Sequence, residues 1–178
     1  MCGRYHFGIL DNPKGKIIRD RAQKLNLTYK EGEIFPKDKV LVLMPVGSSL
    51  DLATKTWGMN LNHFQINARI ESIKDKNFYN KFKNNRCAVL ANGFYEWDEE
   101  KRKYYIDFKD YYYLACIYDN DELLIITKEA RDSFKKIHDR EPLVLDETEV
   151  KAYLANKNLN ESFKEFDIKP LDTEIKLF

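Results

Sequence analysis

Arg86-Cys-Ala-Val-Leu-Ala-Asn-Gly-Phe-Tyr-Glu-Trp97 opens a series of β-branched and aromatic runs that continues with Tyr104-Tyr-Ile-Asp-Phe108, Tyr111-Tyr-Tyr-Leu-Ala-Cys-Ile117 and Leu123-Leu-Ile-Ile-Thr127. Each run has strand length and strand composition. The breaks between them, Asn92-Gly93 and Lys109-Asp110 among them, are short and polar. Such breaks suit antiparallel neighbours, because a parallel crossover needs about a dozen residues or more. The centre therefore reads as an antiparallel β-meander or partial barrel. Working outward, Val40 to Met44 ends at Pro45 and reads as a strand, with a turn at Gly47-Ser48-Ser49 and a return strand to Trp57. Ile17, Ile18, Ala22 and Leu25 recur at helical spacing over residues 14–27. Further helices are predicted at 72–83, where Phe78 and Phe82 lie four apart, at 131–137, and after Asp146. Asp146 and Glu149 have capping-box spacing, and Val150, Tyr153 and Leu154 form a stripe. Peripheral helices on one antiparallel sheet make an α+β fold, and with no repeat or linker, residues 1–178 read as a single domain.

Composition narrows the function classes. The chain has 178 residues, 43% hydrophobic and 13% aromatic, which suits one globular core. No run approaches a membrane span or a secretory h-region, so an intracellular protein, cytoplasmic or nucleoid-associated, is expected. Three widely spaced cysteines without a CxxC pair argue against a disulfide framework or a cysteine-rich zinc site. No metal or organic cofactor is indicated, and a monomer is the default. The net charge of +1 hides nine acidic against five basic side chains in residues 141–178, which leaves the first 140 residues basic. That part is the better candidate for touching a polyanion. Basic runs such as Lys101-Arg102-Lys103 nevertheless read first as solvated faces.

Four places carry chemistry. Met1-Cys2-Gly3-Arg4 gives a 1,2-aminothiol once the initiator methionine is removed. The α-amino group titrates near pH 8 and is partly nucleophilic at neutral pH. An aldehyde could form an imine with this nitrogen and be trapped by the sulfur as a thiazolidine ring. A coincidental cysteine in a buried or frayed terminus reads the same way. Glu96, among aromatics after a turn, should be partly desolvated, which favours its protonated form and general acid/base work. A solvent-facing or arginine-paired glutamate is the alternative. Ile66-Asn67-Ala68-Arg69-Ile70-Glu71 puts amide, guanidinium and carboxylate groups in one loop, and His138 follows a short helix. Taken alone, these are equally an ordinary polar connection and a lone histidine.

In order along the chain, Cys2-Gly3-Arg4-Tyr5, Trp57-Gly58, Ile66-Asn67-Ala68-Arg69 with Glu71, Gly93-Phe94-Tyr95-Glu96-Trp97, Leu124-Ile125-Ile126-Thr127 and Ile137-His138-Asp139-Arg140 with Pro142 resemble the SOS-response-associated peptidase (SRAP) family. The resemblance implies a sensor of abasic sites in single-stranded DNA that forms a covalent DNA-protein crosslink. It would be a self-modifying, lyase-like enzyme that can also process its own N-terminus. Carried over, Cys2 is the crosslinking nucleophile, Asn67 positions the terminus and sugar, and Glu96 and His138 transfer protons. Arg4 and Arg69 fall where the family holds phosphates, and Trp57 and Trp97 where aromatics meet DNA, with core packing an equal reading of either tryptophan. Two departures stand out. Met59 to Gln65 is a shortened loop, and Lys169 to Lys176 matches the family's C-terminal end only loosely. Two rival readings are a noncovalent single-stranded nucleic-acid binding module and a thiol-dependent peptidase using Cys2 and His138.

Overall fold

The computed structural model describes residues 2–75, 79, 81–157, 159, 162 and 164–171. In chain order the elements are β1 (Arg4–Phe7), α1 (Pro13–Lys24), β2 (Gly32–Ile34), β3 (Lys39–Val46), β4 (Ser49–Trp57), β5 (Met59–Asn60), β6 (Phe64–Gln65), β7 (Asn67–Arg69) and α2 (Ile70–Asp75). They continue with β8 (Arg86–Trp97), β9 (Lys103–Asp119), β10 (Glu122–Glu129), α3 (Asp132–Lys135), β11 (Arg140–Pro142), β12 (Val144–Leu145), α4 (Glu147–Leu154) and β13 (Asp167–Leu171). One large sheet dominates, and only β5 and β6 form a separate hairpin. Most ladders are antiparallel, as expected. The exceptions are the parallel pairings of β10 with β7 and with β4, which strand composition does not signal. The strands curl from β9 through β10, β4 and β3 back to β8. The turn is completed only by a two-residue ladder between β10 and β4, so the result is a partial barrel and not a closed one.

Cys87 to Ala91, Phe94 to Trp97, Tyr104 to Phe108 and Tyr111 to Ile117, which read as four separate runs, prove to belong to two long strands. β8 and β9 pair from Arg86 opposite Ile117 to Trp97 opposite Lys103. Asn92-Gly93 and Lys109-Asp110 do not end strands. They form one irregularity, in which Ala91 faces Tyr112 and Gly93 faces Asp107. The surplus on β9 is absorbed by Lys109 at φ +60°, with the Asp107 and Asp110 carboxylates accepting from the Lys109 and Tyr111 N–H groups. A bulge of this kind lets a long strand bend without breaking the ladder. Gly93 is required there, because a Cβ would stand 2.4 Å from the Ile106 carbonyl oxygen.

Other boundaries differ in detail. β3 runs through Pro45 to Val46 and closes a hairpin on Ser49. α1 starts where Asn12 Oδ1 accepts from the Gly15 N–H at 2.8 Å, and it buries Ile18 and Ala22 against the sheet. Ile17 lies off that face and is 68% exposed. The helix predicted at 72–83 is shorter and earlier, because α2 ends at Asp75, and Phe78 lies outside the described residues. α4 carries the expected reciprocal capping box of Asp146 and Glu149 and buries Val150, Tyr153 and Leu154. The shortened loop after Gly58 is the β5–β6 hairpin. The degenerate C-terminal match is described only as far as Leu171, where β13 pairs with the first half of β9. No helix among the described residues is long and apolar enough to cross a membrane.

Candidate active site

Strand alternation builds the site. Successive residues of β8 point to opposite faces, and its end alternates buried Phe94, half-buried Tyr95, buried Glu96 and half-buried Trp97. A carboxylate is thereby carried to the core side while two aromatic rings are carried outward. Glu96 is only 4% exposed. Burial raises its pKa to about 7, opposed by the positive charge of the amino terminus and by a hydrogen bond from the Trp97 N–H at 3.2 Å. The expected desolvation is present, and the group is poised to hold or release a proton at neutral pH.

Cys2 enters the same interior just ahead of β1, which pairs with this end of β8 through Arg4 opposite Tyr95 and Tyr5 opposite Phe94. Its side chain is fully buried, with Sγ 4.0 Å from the Arg4 carbonyl oxygen. Burial pushes the thiol pKa well up, and the charge of Glu96 pushes it further, so the sulfur is a neutral thiol at physiological pH. That effect places Cys2 and Glu96 in one electrostatic neighbourhood.

His138 approaches through Asp139, whose carboxylate also raises the Glu96 pKa and lies 2.8 Å from His138 Nδ1. The same nitrogen accepts from the Arg140 N–H at 2.9 Å. The carboxylate favours a proton on Nδ1 and the backbone N–H favours a bare Nδ1, so the two contacts pull the ring toward opposite tautomers. Burial lowers the His138 pKa, which favours the neutral form. Arg140 fixes the turn, with its guanidinium on both Glu71 oxygens at 2.9 and 3.1 Å and on the Thr127 carbonyl at 2.7 Å. Glu71 is held below the usual carboxylate range, chiefly by that hydrogen bonding. His138, Asp139 and Trp97 line an open cleft of about 590 Å³, flanked by Asp98, Arg102 and Lys136.

Asn67 opens β7 beside Ile125 of β10. Its Nδ2 reaches the Ile125 carbonyl at 3.5 Å, while its Oδ1 is buried with no partner among the described residues. A buried acceptor left unsatisfied is costly and marks a place where a donor can be received. Trp57 links this strand to the chain's start. Its indole N–H donates to the Ile66 carbonyl at 2.9 Å, and its ring packs 5.5 Å from that of Tyr5. Trp57 is fully buried. The expectation that it meets DNA gives way to a core role, because no face of the ring is left to stack on a base. Arg69 is exposed at the far end of β7, opposite Thr127, and its charge helps lower the Glu71 pKa.

Trp97, unlike Trp57, is only half-buried. The Arg4 guanidinium lies 5.0 Å from its ring and 4.3 Å from that of Phe35. Sequence reasoning missed the rest of this cluster, namely Glu33, Phe35 and Lys103. Lys103 was grouped with a solvated run, yet its side chain is only 18% exposed. The period-2 pattern held a usable signal for Lys103, since it faces Trp97 across β8 and β9. Nothing in the sequence marks Glu33. Among the described residues, no group of three or more histidine, cysteine or acidic side chains is placed to hold a metal.

The fold is thus a curled mixed sheet with a thiol buried just ahead of its first strand and a glutamate of near-neutral pKa buried at the end of β8. The chain belongs to the SOS response associated peptidase (SRAP) family, whose model matches residues 1–177. It is 24% identical over 199 aligned positions to the abasic site processing protein YoqW of Bacillus subtilis, covering 98% of this chain and 89% of that one. The abasic site processing protein YoaM of the same organism is 26% identical, with 98% and 88% covered. Among solved structures, a protein from Bordetella bronchiseptica superposes with a TM-score of 0.74 at 15% identity, over 96% of this chain and all of that one, a likeness of fold.

Proposed function

We propose that this protein processes abasic sites in single-stranded DNA by capturing the ring-opened sugar on Cys2 after Met1 is removed. The observation that carries the reading is the burial of the Cys2 thiol beside Glu96, a carboxyl whose pKa is raised to about 7. The names of its relatives as abasic site processing proteins point the same way. The Cys2 α-amine adds to the sugar aldehyde and water departs, giving an imine. The thiol sulfur then adds to the imine carbon while its proton passes to the nitrogen, closing a thiazolidine with the net loss of one water. Both stages need a group that gives a proton to oxygen or nitrogen and takes one back. Glu96 is suited to this near pH 7, with neutral His138 as a second carrier. Asn67 would offer its open Oδ1 to the amine or a sugar hydroxyl. Arg4 and Arg69 would hold phosphates, and Trp97 would supply a stacking face. Because Cys2 is covered, the sugar needs a way in, and the loss of Met1 that frees the amine also removes atoms bonded to it. A peptidase activity that removes the leader would use the same thiol and is secondary in this reading.

The test is denaturing electrophoresis and intact-mass measurement of Met1-free protein incubated with a single strand carrying one abasic site. The expected product has the summed mass less one water and disappears with Cys2→Ala or an intact base. No adduct from protein shown to lack Met1 would overturn the covalent reading.

A further inference from the structure

Two cations from different strands converge on one carboxylate oxygen. Arg4 Nη1 of β1 lies 3.1 Å from Glu33 Oε1, and Lys103 Nζ of β9 lies 2.8 Å from the same atom. Aromatic rings back both cations. The Arg4 guanidinium stands over Phe35 and Trp97, and Lys103 Nζ is 4.3 Å from the Tyr95 centroid and 5.6 Å from that of Trp97. Pairing explains the assembly, since Arg4 faces Tyr95 across β1 and β8, and Trp97 faces Lys103 across β8 and β9. Burial acts to raise the Glu33 pKa, but the hydrogen bonds from Lys103 and Arg4 prevail and keep it ionised. The bridge is open to solvent on one side, with the Glu33 and Arg4 side chains 33% and 29% exposed.

Two positive groups that share one carboxylate carry a surplus positive charge and a fixed point of convergence. A phosphodiester oxygen has the charge and acceptor geometry to occupy that point. The flanking rings offer what single-stranded nucleic acid needs on either side of a phosphate, a flat surface for a base. Nothing else on the described surface combines two converging cations with three aromatic rings beside the Cys2 strand.

We propose that Glu33 is a resident stand-in for a backbone phosphate: it holds Arg4 and Lys103 in binding geometry in the free protein and is displaced by a phosphate of the incoming single strand. Lys103 is then a phosphate-contacting residue, and Glu33 sets a threshold that every strand must overcome. This inference rests on the single-stranded DNA reading above. Its consequence is selectivity by retention, with undamaged strands exchanging quickly and only a strand trapped at Cys2 remaining.

Fluorescence anisotropy with a labelled, undamaged oligothymidine separates this step from bond formation. Removing the competing charge with Glu33→Gln should tighten binding about fivefold, the scale of one partly exposed ion pair. Lys103→Gln should weaken binding and remove one phosphate contact. For single strands this makes the loss of affinity between about 50 and 200 mM salt about 2.5-fold smaller. Lys103→Arg should restore the wild-type salt slope. Thermal melts identify any variant that is unfolded, and if Glu33→Gln melts early the Lys103→Gln slope decides alone. A folded Glu33→Gln that binds no tighter than wild type overturns the proposal, as does an unchanged slope for Lys103→Gln. Adduct formation with an abasic strand is scored in parallel. Its absence alongside the predicted binding pattern would remove the covalent step and leave this inference standing.

Discussion

Replacing Glu96 with glutamine should change how stability depends on pH, because the folded protein holds this carboxyl at a pKa of about 7 against 4.5 for the free side chain. The sign follows from proton counting. Between these two values the folded state keeps a proton that the unfolded chain has released, so stability falls as pH rises through this window and levels off above it. Each pH unit of separation is worth about 1.4 kcal/mol, so the full span amounts to about 3 kcal/mol. For a chain of this size that corresponds to about 6–12 °C in melting temperature. Glutamine fills nearly the same volume and cannot ionise, and most other titrating groups contribute equally to both proteins. The difference in unfolding free energy, wild type minus Glu96→Gln, should therefore drop by about 3 kcal/mol between pH 4.5 and pH 8. Urea denaturation at closely spaced pH values, followed by tryptophan fluorescence, measures it. Parallel stability curves for the two proteins over this range would refute the reasoning, since they would mean that Glu96 titrates as it does in the unfolded chain. The same desolvation that weakens the fold above neutral pH is what keeps a proton available beside Cys2.

Three further outcomes are expected. Trp57→Phe keeps most of the buried ring but leaves the Ile66 carbonyl without its indole donor. Because that carbonyl still accepts from the Ile125 N–H, the change should cost about 0.5–1.5 kcal/mol in urea denaturation while leaving oligothymidine affinity unchanged, and a selective loss of binding would restore Trp57 to a DNA-contacting role. Gly93→Ala would set a Cβ against the Ile106 carbonyl and the Tyr105 hydroxyl. A loss of about 1–3 kcal/mol is expected, and an unchanged melting temperature would show that the bulge can relax. Cys2, Cys87 and Cys116 are all buried free thiols, so iodoacetamide at pH 8 should label none of them until denaturant is added, as read by intact mass. Rapid native labelling of Cys2 would contradict the covered site.

Much of the architecture was legible because period-2 alternation and cap residues act locally. The core strands, the Asp146–Glu149 cap and the inward face of Glu96 all follow from neighbours in sequence. Two features did not. Asn92-Gly93 and Lys109-Asp110 look like turns by composition, and only the pairing of β8 with β9 turns them into one bulge, a long-range choice. The parallel ladders of β10 likewise depend on where β7 and β4 are delivered. For the site, Glu96 acts on the Cys2 thiol, and Asp139 acts on both Glu96 and His138. Sequence leaves Trp57 open between core and DNA, because an indole that caps a buried carbonyl and one that stacks on a base look alike there. Glu33 was invisible for a simpler reason. Its significance lies wholly in the two cations that reach it from strands about 30 and 70 positions away.

The bulge at Asn92-Gly93 works as a reading frame for everything beyond it. Asn92 Oδ1 takes the Gly8 N–H at 2.6 Å, which pins the frame to the end of β1. Downstream, Tyr95 and Trp97 face outward and Phe94 and Glu96 face the interior. Deleting one residue at the bulge would be a frameshift in three dimensions, turning Glu96 out to water and driving Trp97 into the interior. Substitutions at Tyr95 or Trp97, by contrast, keep the frame. The outer side chains of this strand can thus be exchanged without moving the buried carboxyl behind them out of phase.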